Sequence, residues 1–332
     1  MRVLVIRCGA LGDLVYSTSV IDALRLEYGE DVTIDFVTTP SSAKLFDFDD
    51  RINKVFLLKH KKVPIIFSSQ KKAVIKESHK EPYDLLINFE MGKQFRSLVE
   101  KIQAKRKAGW FCENITITKT HMVEICKEFY SSVVSSENID KAYPRLLGED
   151  FGNIKLKFNL PDDYIVFSPS NSHNKKKGIN YRAWPHSHWK ELLNMMPKNM
   201  HIVMIGAKGE EAFFEPIKPY GENVIDLVGK ISIPQMVSVV ANAKALVVTD
   251  TGTAHIASAV NTPVFCLIGP TPAEQTGPYK TPYNEVFILK SDIECRPCYK
   301  TKIMMECKDN ICMKNITPEM LYRKIMEELD LH

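Results

Sequence analysis

The sequence lacks long hydrophobic runs, and it carries no large excess of charge of either sign. No apolar stretch in its 332 residues approaches the roughly 18 residues that a bilayer-spanning helix needs. The chain starts on a strand-like segment, without the charged, apolar and small-residue pattern of a signal peptide. Lys and Arg number 44 against 40 Asp and Glu, and this surplus is too small and too scattered to favour a nucleic-acid-binding protein. We therefore expect a cytoplasmic protein.

Short repeats and low-complexity tracts are absent as well. Hydrophobic residues make up 45% and charged residues 25% of the chain, which is typical of globular proteins and excludes a disordered or collagen-like chain. At roughly 150 residues per domain, the length predicts two domains. Most of the eight cysteines stand singly in apolar stretches, as reduced core cysteines do, so the sequence is not that of a disulfide-stapled miniprotein.

Strands and helices alternate along both halves of the sequence. The first half predicts strands over residues 1–7, 32–37, 54–58 and 83–89 and a helix over 14–28. The pattern blurs between about residues 111 and 160, where we place a domain boundary. The second half predicts strands over 164–168, 201–205, 224–228, 245–249 and 263–268, with helices over 185–196, 209–217, 233–243 and 253–260. Such alternation predicts an α/β fold with parallel sheets.

The first candidate site is the segment from Arg7 to Asp13, RCGALGD, between the first strand and the first helix. Gly9 and Gly12 permit a tight turn that leaves the backbone accessible to a ligand. Asp13 lies at or near the N-cap of the helix, so it is either a helix cap or an acidic group for chemistry at a strand end. Glu90, after the fourth strand, is the nearest rival carboxylate. The spacing matches neither the dinucleotide-binding glycine fingerprint nor a Walker A loop.

The second candidate site follows a buried strand that leads into Asp250. Thr251, Gly252 and Thr253 form the predicted turn, and His255 lies in the helix that follows. Such a turn offers backbone N–H groups, two hydroxyls and the positive end of the helix dipole, which together suit a phosphate or diphosphate. The alternative is ordinary N-capping by one of the threonines, with His255 on a satisfied helix face.

Two further strand-to-helix connections carry charged residues. Arg182 precedes a helix in a loop that also holds the lysines at 175–177, and a guanidinium there can bind an anion in bidentate fashion. The lysine run is otherwise a solvated loop. Gly206, Glu210 and Glu211 follow the next strand, where a glutamate either accepts hydrogen bonds from a ribose or simply favours a helix N-terminus.

Four cysteines lie within 18 residues near the end of the chain, with the spacing C-x₂-C-x₈-C-x₄-C. Cys295, Cys298, Cys307 and Cys312 either hold a tetrahedral zinc or form a packed, reduced loop. The last pair departs from the C-x₂-C spacing of common zinc sites. We expect a structural role for this segment and no part in catalysis.

Together these motifs resemble glycosyltransferase family 9, the lipopolysaccharide heptosyltransferases. Five motifs occur in one order over nearly the whole chain: RCGALGD at 7–13, SPS and YRAWP between 168 and 185, IGAKGEE at 205–211, DTGTAHIASA at 250–259 and GPTPAEQTGPY at 269–279. The Cys-rich tail followed by ITPEM at 316–320 is also similar to that family. An order of five motifs is far more specific than any one of them.

The resemblance implies an α/β fold of GT-B architecture, with two Rossmann-like domains that face each other across a cleft. Residues 1–155 would form an N-terminal acceptor-binding domain and residues 156–315 a C-terminal nucleotide-sugar-binding domain. Residues 316–332 would form a helix that packs back on the N-terminal domain. The implied activity is an inverting transfer of a sugar without a catalytic metal or a cofactor. The donor would be a nucleotide sugar, with ADP-heptose as the best match, and the acceptor the Kdo–lipid A inner core of lipopolysaccharide.

The resemblance also implies roles for individual residues. Asp13 would be the general base that deprotonates the acceptor hydroxyl. Arg182 stands where the heptosyltransferases usually carry a lysine, which keeps the charge but alters the geometry. The donor and its phosphates would be bound by Arg182, Gly206, Glu210, Glu211, Asp250, Thr251, Gly252, Thr253 and His255. The acceptor side would comprise Gly9, Gly12, Lys61 and Lys62.

The lysines leave the nature of the acceptor side open. Lys61 and Lys62 would meet an anionic lipid-linked sugar or the cytoplasmic face of the inner membrane, or they belong to a solvated loop. Three other functions also remain open from the sequence: transfer from another nucleotide sugar, a non-catalytic nucleotide-sugar-binding protein, and a nucleotide-sugar epimerase. Binding of individual nucleotide sugars and transfer assays would discriminate among them.

Overall fold

The computed structural model describes residues 1–59, 68–171 and 178–330. The chain divides into two compact units, Met1–Leu147 and Gly148–His332, and each is built around its own parallel sheet. Within the described ranges, no helix has the length and apolar character that crossing a bilayer requires. Lys61, Lys62 and the lysines at 175–177 lie outside the described residues.

The first unit contains a parallel sheet. Its strands in the described residues are β1 (Arg2–Ile6), β2 (Thr33–Thr38), β3 (Ile52–Leu57), β4 (Tyr83–Asn88) and β5 (Ala104–Gly109). Their order across the sheet is β3-β2-β1-β4-β5. The three central strands are buried along nearly their whole length, as expected for a sheet covered on both faces. The order reverses between β1 and β4, and open α/β sheets bind ligands beyond the carboxyl ends of the strands at such a point.

The second unit repeats this arrangement with one more strand. Its described strands are β6 (Tyr164–Ser168), β7 (His201–Met204), β8 (Val224–Asp226), β9 (Ala245–Thr249), β10 (Val264–Leu267) and β11 (Val286–Leu289). Their order is β11-β10-β9-β6-β7-β8, and all described pairings are parallel. This is the doubly wound order of Rossmann-like domains. Its reversal point lies between β6 and β9.

Helices connect the strands in both units. The first unit has α1 (Leu11–Ser17), α2 (Ser19–Tyr28), α3 (Ser69–Lys80), α4 (Arg96–Lys101), α5 (Met122–Glu128) and α6 (Ser136–Lys141). The second has α7 (Phe151–Phe158), α8 (His186–Met195), α9 (Glu211–Phe214), α10 (Ile233–Ala241), α11 (Gly252–Ala259), α12 (Ala273–Thr276), α13 (Lys302–Glu306), α14 (Ile311–Lys314) and α15 (Pro318–Glu328). Each unit has its own apolar core between sheet and helices.

The single helix predicted over residues 14–28 is two helices in the structure. Thr18 separates α1 from α2, and both its N–H and its hydroxyl donate to the carbonyl oxygen of Val15, at 3.1 and 2.8 Å. Bonds of this kind, from residue i to residue i−3, tighten a turn and interrupt the regular α-helical ladder. Because α1 begins at Leu11, Gly12 lies inside its first turn rather than in the preceding loop.

The division between the units falls after Leu147 rather than after residue 155. The physical reason is the packing of α7 on α10 within the second unit. The hydroxyl of Ser238, in α10, donates to the carbonyl oxygen of Glu149. A Cβ on Gly148 would lie 2.8 Å from the backbone nitrogen of Ser238, so the chain is already seated on α10 at the first residue of this unit.

The last helix also belongs to the second unit, which corrects the expectation that it packs on the N-terminal domain. Leu321 and Ile325 of α15 are fully buried in the core of the second unit, and α15 packs against α8. Trp184 and Trp189 lie in the same core with their rings perpendicular and 4.9 Å apart. The apolar face of α15 therefore stabilises the unit that contains β6 to β11.

Candidate functional site

The reversal point of the first sheet is occupied by one buried cation and two carboxylates. Arg7 follows β1 and Glu90 follows β4, so the two side chains meet beyond the ends of neighbouring strands. Arg7 Nη2 lies 3.6 Å from Asp13 Oδ1, and Arg7 Nη1 lies 3.9 Å from Glu90 Oε1. Arg7 also donates to the carbonyl oxygens of Asp13 and Phe89, at 3.1 and 3.2 Å. The guanidinium thus ties the start of α1 to the ends of β1 and β4.

Asp13 is the third residue of α1 rather than its N-cap. Ala10 holds the N-cap position, and its backbone N–H donates to Asp13 Oδ2 at 2.8 Å. A Cβ on Gly9 would lie 2.4 Å from Asp13 Cβ, so only glycine permits the chain to pass this close. The structure therefore supports the capping interpretation of Asp13 for one carboxylate oxygen. The other oxygen faces Arg7, and the side chain is 42% exposed.

Glu90, the rival carboxylate, is more deeply placed. Its side chain is 12% exposed, and Oε1 accepts the backbone N–H of Cys8 at 2.7 Å. Burial raises the pKa of the Cys8 thiol well above its usual value, and the negative charge of Glu90 adds to the rise. Burial alone would lower the pKa of Arg7, but the negative groups around it, among them Asp13 and Glu90, raise that pKa overall. Of the two carboxylates, Asp13 is the more exposed to solvent.

The reversal point of the second sheet also carries an arginine and a carboxylate, but here the carboxylate is the more buried of the two. Asp250 follows β9, and its side chain is 6% exposed. Arg182 Nε lies 3.3 Å from Asp250 Oδ2, and Arg182 Nη1 donates to the carbonyl oxygen of Asp250 at 3.3 Å. The hydroxyl of Thr271 donates to Asp250 Oδ2. The carboxylate is thus enclosed by its partners and holds Arg182 beside the start of α11.

Helix α11 begins at Gly252, with Thr251 as its N-cap residue. The Thr251 side chain makes no capping hydrogen bond to the described first turn. The Thr253 hydroxyl is buried and points to the sulfur of Met236, 4.0 Å away. His255 is buried in the same helix. The first N–H groups of a helix have no partner within it. Asp250, which contacts Arg182, directly precedes the N-cap residue of this helix.

The turn after β7 uses its glutamates for its own backbone. Glu210 Oε2 accepts the hydroxyl of Ser170 at 2.7 Å and the N–H of Ala207 at 3.0 Å. Glu211 Oε1 accepts the N–H of Gly209 at 3.0 Å. Gly206 admits no Cβ, because that atom would lie 2.7 Å from the ring of Phe214. These contacts make the turn rigid. Ser170, which follows β6, joins it to the reversal point, a link that the sequence analysis missed.

The four clustered cysteines are free thiols, and Cys298 and Cys312 are buried. Burial raises the pKa of Cys298 and raises that of Cys312 to about 11, with smaller contributions from neighbouring cysteines. Among the residues that the structure describes, no three His, Cys, Asp or Glu side chains come together as a group that could hold a metal ion. The segment packs against the loop of Arg182, where the hydroxyl of Tyr181 donates to the carbonyl oxygen of Cys307 at 3.1 Å.

The two reversal points differ in what they can do chemically. The first presents an accessible carboxylate, Asp13, which can accept a proton. The second presents a guanidinium, Arg182, beside a helix N-terminus, and this combination stabilises negative charge that develops on a phosphate. Each lies at the carboxyl edge of its own sheet, which is where such folds bind ligands.

Comparison with known proteins gives a match to a family model. The model, described as "Glycosyltransferase family 9 (heptosyltransferase)", matches residues 83–308, which is more than half of the chain. The lipooligosaccharide heptosyltransferase 2 of Haemophilus influenzae is 28% identical over 45% of this chain, and the match spans less than half of that protein, 43%. The lipopolysaccharide heptosyltransferase 1 of Pseudomonas aeruginosa is 24% identical over 90% of this chain and 86% of its own length.

The fold has a counterpart among solved structures. The ADP-heptose lipopolysaccharide heptosyltransferase II of E. coli superposes with a TM-score of 0.78 at 18% identity, over 99% of this chain and 98% of that one. The two parallel-sheet α/β units of this chain therefore have the GT-B type of fold, built from two Rossmann-like domains.

Proposed function

We propose that this chain, which belongs to glycosyltransferase family 9 and is a glycosyltransferase, transfers a heptosyl residue from ADP-heptose to an anionic lipid-linked sugar of the lipopolysaccharide inner core. The observation that carries the proposal is the pairing of Arg182 with buried Asp250 at the start of α11. A departing nucleoside diphosphate needs a fixed cation and free N–H groups, and this edge supplies both. The relatives are described as heptosyltransferases of lipopolysaccharide or lipooligosaccharide, which supports heptose as the sugar and lipopolysaccharide as the acceptor class.

Asp13 is the proposed general base. The acceptor hydroxyl attacks the anomeric carbon of the donor sugar, gives its proton to Asp13 Oδ1, and displaces ADP with inversion. Arg7 holds this carboxylate at 3.6 Å without enclosing it, because the side chain remains 42% exposed. The N–H of Ala10 fixes the second oxygen, so the carboxylate is oriented before the acceptor arrives.

Arg182, Gly252 and Thr253 are the proposed partners of the donor diphosphate. Asp250 positions Arg182 and does not itself face the phosphates, because its carboxylate is taken up by Thr271 and Arg182. The adjoining turn is shaped by three residues. The carboxylates of Glu210 and Glu211 accept backbone N–H groups of the turn, and Gly206 permits the close approach of the Phe214 ring. A cation supplied by the protein reduces the need for a divalent metal, so we expect EDTA to leave the rate unchanged.

The test is a calorimetric titration of the purified protein with ADP-, UDP-, GDP- and CMP-sugars, followed by transfer assays with Kdo–lipid A as acceptor. We expect ADP-heptose to bind most tightly and ADP to be released only when acceptor is present. Preference for another nucleotide sugar would correct the donor. Tight binding without acceptor-dependent release would instead identify a binding protein or an enzyme of another reaction, such as an epimerase.

A further inference from the structure

The Cys-rich segment, residues 295–316, packs on the loop that carries Arg182. Beside the bond from the Tyr181 hydroxyl to Cys307, Asn310 Nδ2 donates to the carbonyl oxygens of Asn180 and Ala183, at 3.4 and 3.2 Å. These bonds are between residues about 130 positions apart in sequence. The backbone on both sides of Arg182 is therefore held by this segment.

The same segment also holds the loop after β10. The backbone N–H groups of Cys298 and Tyr299 both donate to the carbonyl oxygen of Pro270, each at 3.0 Å. A Cβ on Gly269 would lie 2.7 Å from the sulfur of Met313, which shows how closely the two stretches approach. This loop continues into Thr271, whose hydroxyl bonds to Asp250. The Cys-rich segment thus supports both members of the Arg182–Asp250 pair.

Tyr299 is the side chain of the segment that reaches the guanidinium itself. Arg182 Cζ lies 4.7 Å from the centre of the Tyr299 ring. Asp250 contacts the Nε and Nη1 atoms of Arg182. Within the described residues, Nη2 has no hydrogen-bond partner. The guanidinium is therefore held by a carboxylate and an aromatic ring, and one nitrogen remains for a ligand.

We propose that Tyr299 is a positioning residue for the donor site: its ring holds the guanidinium of Arg182 in the orientation that receives the donor diphosphate. This inference rests on the proposed role of Arg182 in donor binding. An arginine loses much rotational freedom when it is fixed, and a ring that fixes it in the free protein removes that loss from the binding step. The proposal gives the Cys-rich segment a function that needs no metal.

The first test is calorimetric titration of the full chain with ADP. Tyr299→Leu should weaken ADP binding roughly 5- to 30-fold, the range expected when a partly desolvated cation–π contact is lost. Tyr299→Phe keeps the ring and should bind ADP within about twofold of the parent. Lys300→Ala is a matched control, because it removes the other cation near the same ring, whose Nζ lies 5.2 Å from the ring centre. This substitution leaves the contact between Tyr299 and Arg182 in place and should not change ADP affinity.

A double-mutant cycle separates positioning from a general structural effect. In an Arg182→Met background, Tyr299→Leu should cause no further loss of ADP affinity, because the group that it positions is gone. If the two losses simply add, or if Tyr299→Leu binds ADP as tightly as the parent, Tyr299 does not position Arg182. Thermal unfolding of each variant identifies any that is not folded.

The second test needs no donor, so it stands if the proposed function fails. Arg182 in the parent should react slowly with phenylglyoxal, as measured by peptide mass spectrometry, and Tyr299→Leu should raise its rate several-fold. The Tyr299→Phe variant should react at the parental rate. Equal rates in Tyr299→Leu and the parent would overturn the positioning role. Faster modification in a protein whose parent does not bind ADP would keep that role and refute the donor assignment.

Discussion

The two sheets place an arginine–carboxylate pair at the same topological position, but the more deeply buried member of the pair differs between them. In the first unit the arginine is the buried partner, since the Arg7 side chain is 12% exposed and that of Asp13 is 42% exposed. In the second unit the carboxylate is the buried partner, since the Asp250 side chain is 6% exposed and that of Arg182 is 18% exposed. The more exposed member of the pair is therefore a carboxylate at one edge and a guanidinium at the other.

This difference shows what topology decides and what the loops decide. The reversal of strand order brings the ends of β1 and β4, and those of β6 and β9, side by side in each sheet. The residues that follow these strands then set which charge is enclosed. In the first unit, Arg7 donates hydrogen bonds to backbone carbonyl oxygens. In the second unit, Asp250 is bound by the hydroxyl of Thr271 and the guanidinium of Arg182.

The largest expected effect concerns the accessible carboxylate of the first unit. Asp13→Asn keeps the size of the side chain and an oxygen for the N–H of Ala10, but it removes the proposed base. We expect the transfer rate to fall by about 10²- to 10⁴-fold, the usual contribution of general base catalysis. Initial rates of acceptor-dependent ADP release measure this fall, and a variant with the parental rate would leave Asp13 as a helix cap only.

The next effect concerns the enclosed carboxylate of the second unit. Asp250→Ala leaves Arg182 without its ion-pair partner and Thr271 without its acceptor, so the free energy of unfolding should fall by about 3 kcal/mol. The matched variant in the first unit, Asp13→Ala, removes a partly exposed carboxylate and should cost about 1 kcal/mol. Urea denaturation of both variants tests the contrast, and equal losses would contradict the difference in burial.

A smaller effect is expected for Arg182, the less buried member of the pair in the second unit. Arg182→Met should weaken ADP binding about 10- to 100-fold, as expected for the loss of a charge-assisted contact with phosphate. Arg323→Met removes one positive charge from an exposed position on α15 and serves as the control for net charge. Calorimetry at two salt concentrations should show a weaker salt dependence in Arg182→Met than in the control. Parental affinity in Arg182→Met would remove this residue from the donor site.

The smallest effects are expected for the two glutamates that hold loop backbone. Glu90→Gln and Glu210→Gln each keep an oxygen for their N–H partners, Cys8 and Ala207. Each should change the free energy of unfolding by less than about 1 kcal/mol. Transfer rates should stay within about tenfold of the parent, because the proposed mechanism gives the proton to Asp13 and to neither glutamate. A loss in Glu90→Gln as large as that in Asp13→Asn would make Glu90 the base.

Much of the architecture was predictable, because buried parallel strands are apolar runs. The predicted strands over residues 83–89 and 245–249 contain β4 and β9, both buried along nearly their whole length. Strand β5 was missed because it reads AKRKAG and exposes its first lysine and its arginine at the edge of the sheet. Strand β11 was missed because no long helix precedes it; α12 has only four residues.

The positions of the candidate site residues along the strands and helices were predictable, but their contact partners were not. The sequence predicts that Asp13, Arg182 and Asp250 follow strands or precede helices. Apolar strand runs and helix-start signals are sufficient for this prediction. The contacts of Arg182 with Asp250 and Tyr299 join positions that are 68 and 117 residues away along the chain. No periodicity encodes such distances, since they follow from the order of the strands in the folded sheet. The sequence signal for Tyr299 was its place directly after Cys298.

The most direct test of the division of roles between the two edges is one experiment on two variants. Asp13→Asn and Arg182→Met would each be titrated with ADP by calorimetry and assayed for acceptor-dependent ADP release from ADP-heptose. We predict that Asp13→Asn binds ADP like the parent but transfers about 10²- to 10⁴-fold more slowly, and that Arg182→Met loses ADP affinity. Transfer at the parental rate by Asp13→Asn, together with unchanged ADP affinity in Arg182→Met, would contradict this division of roles.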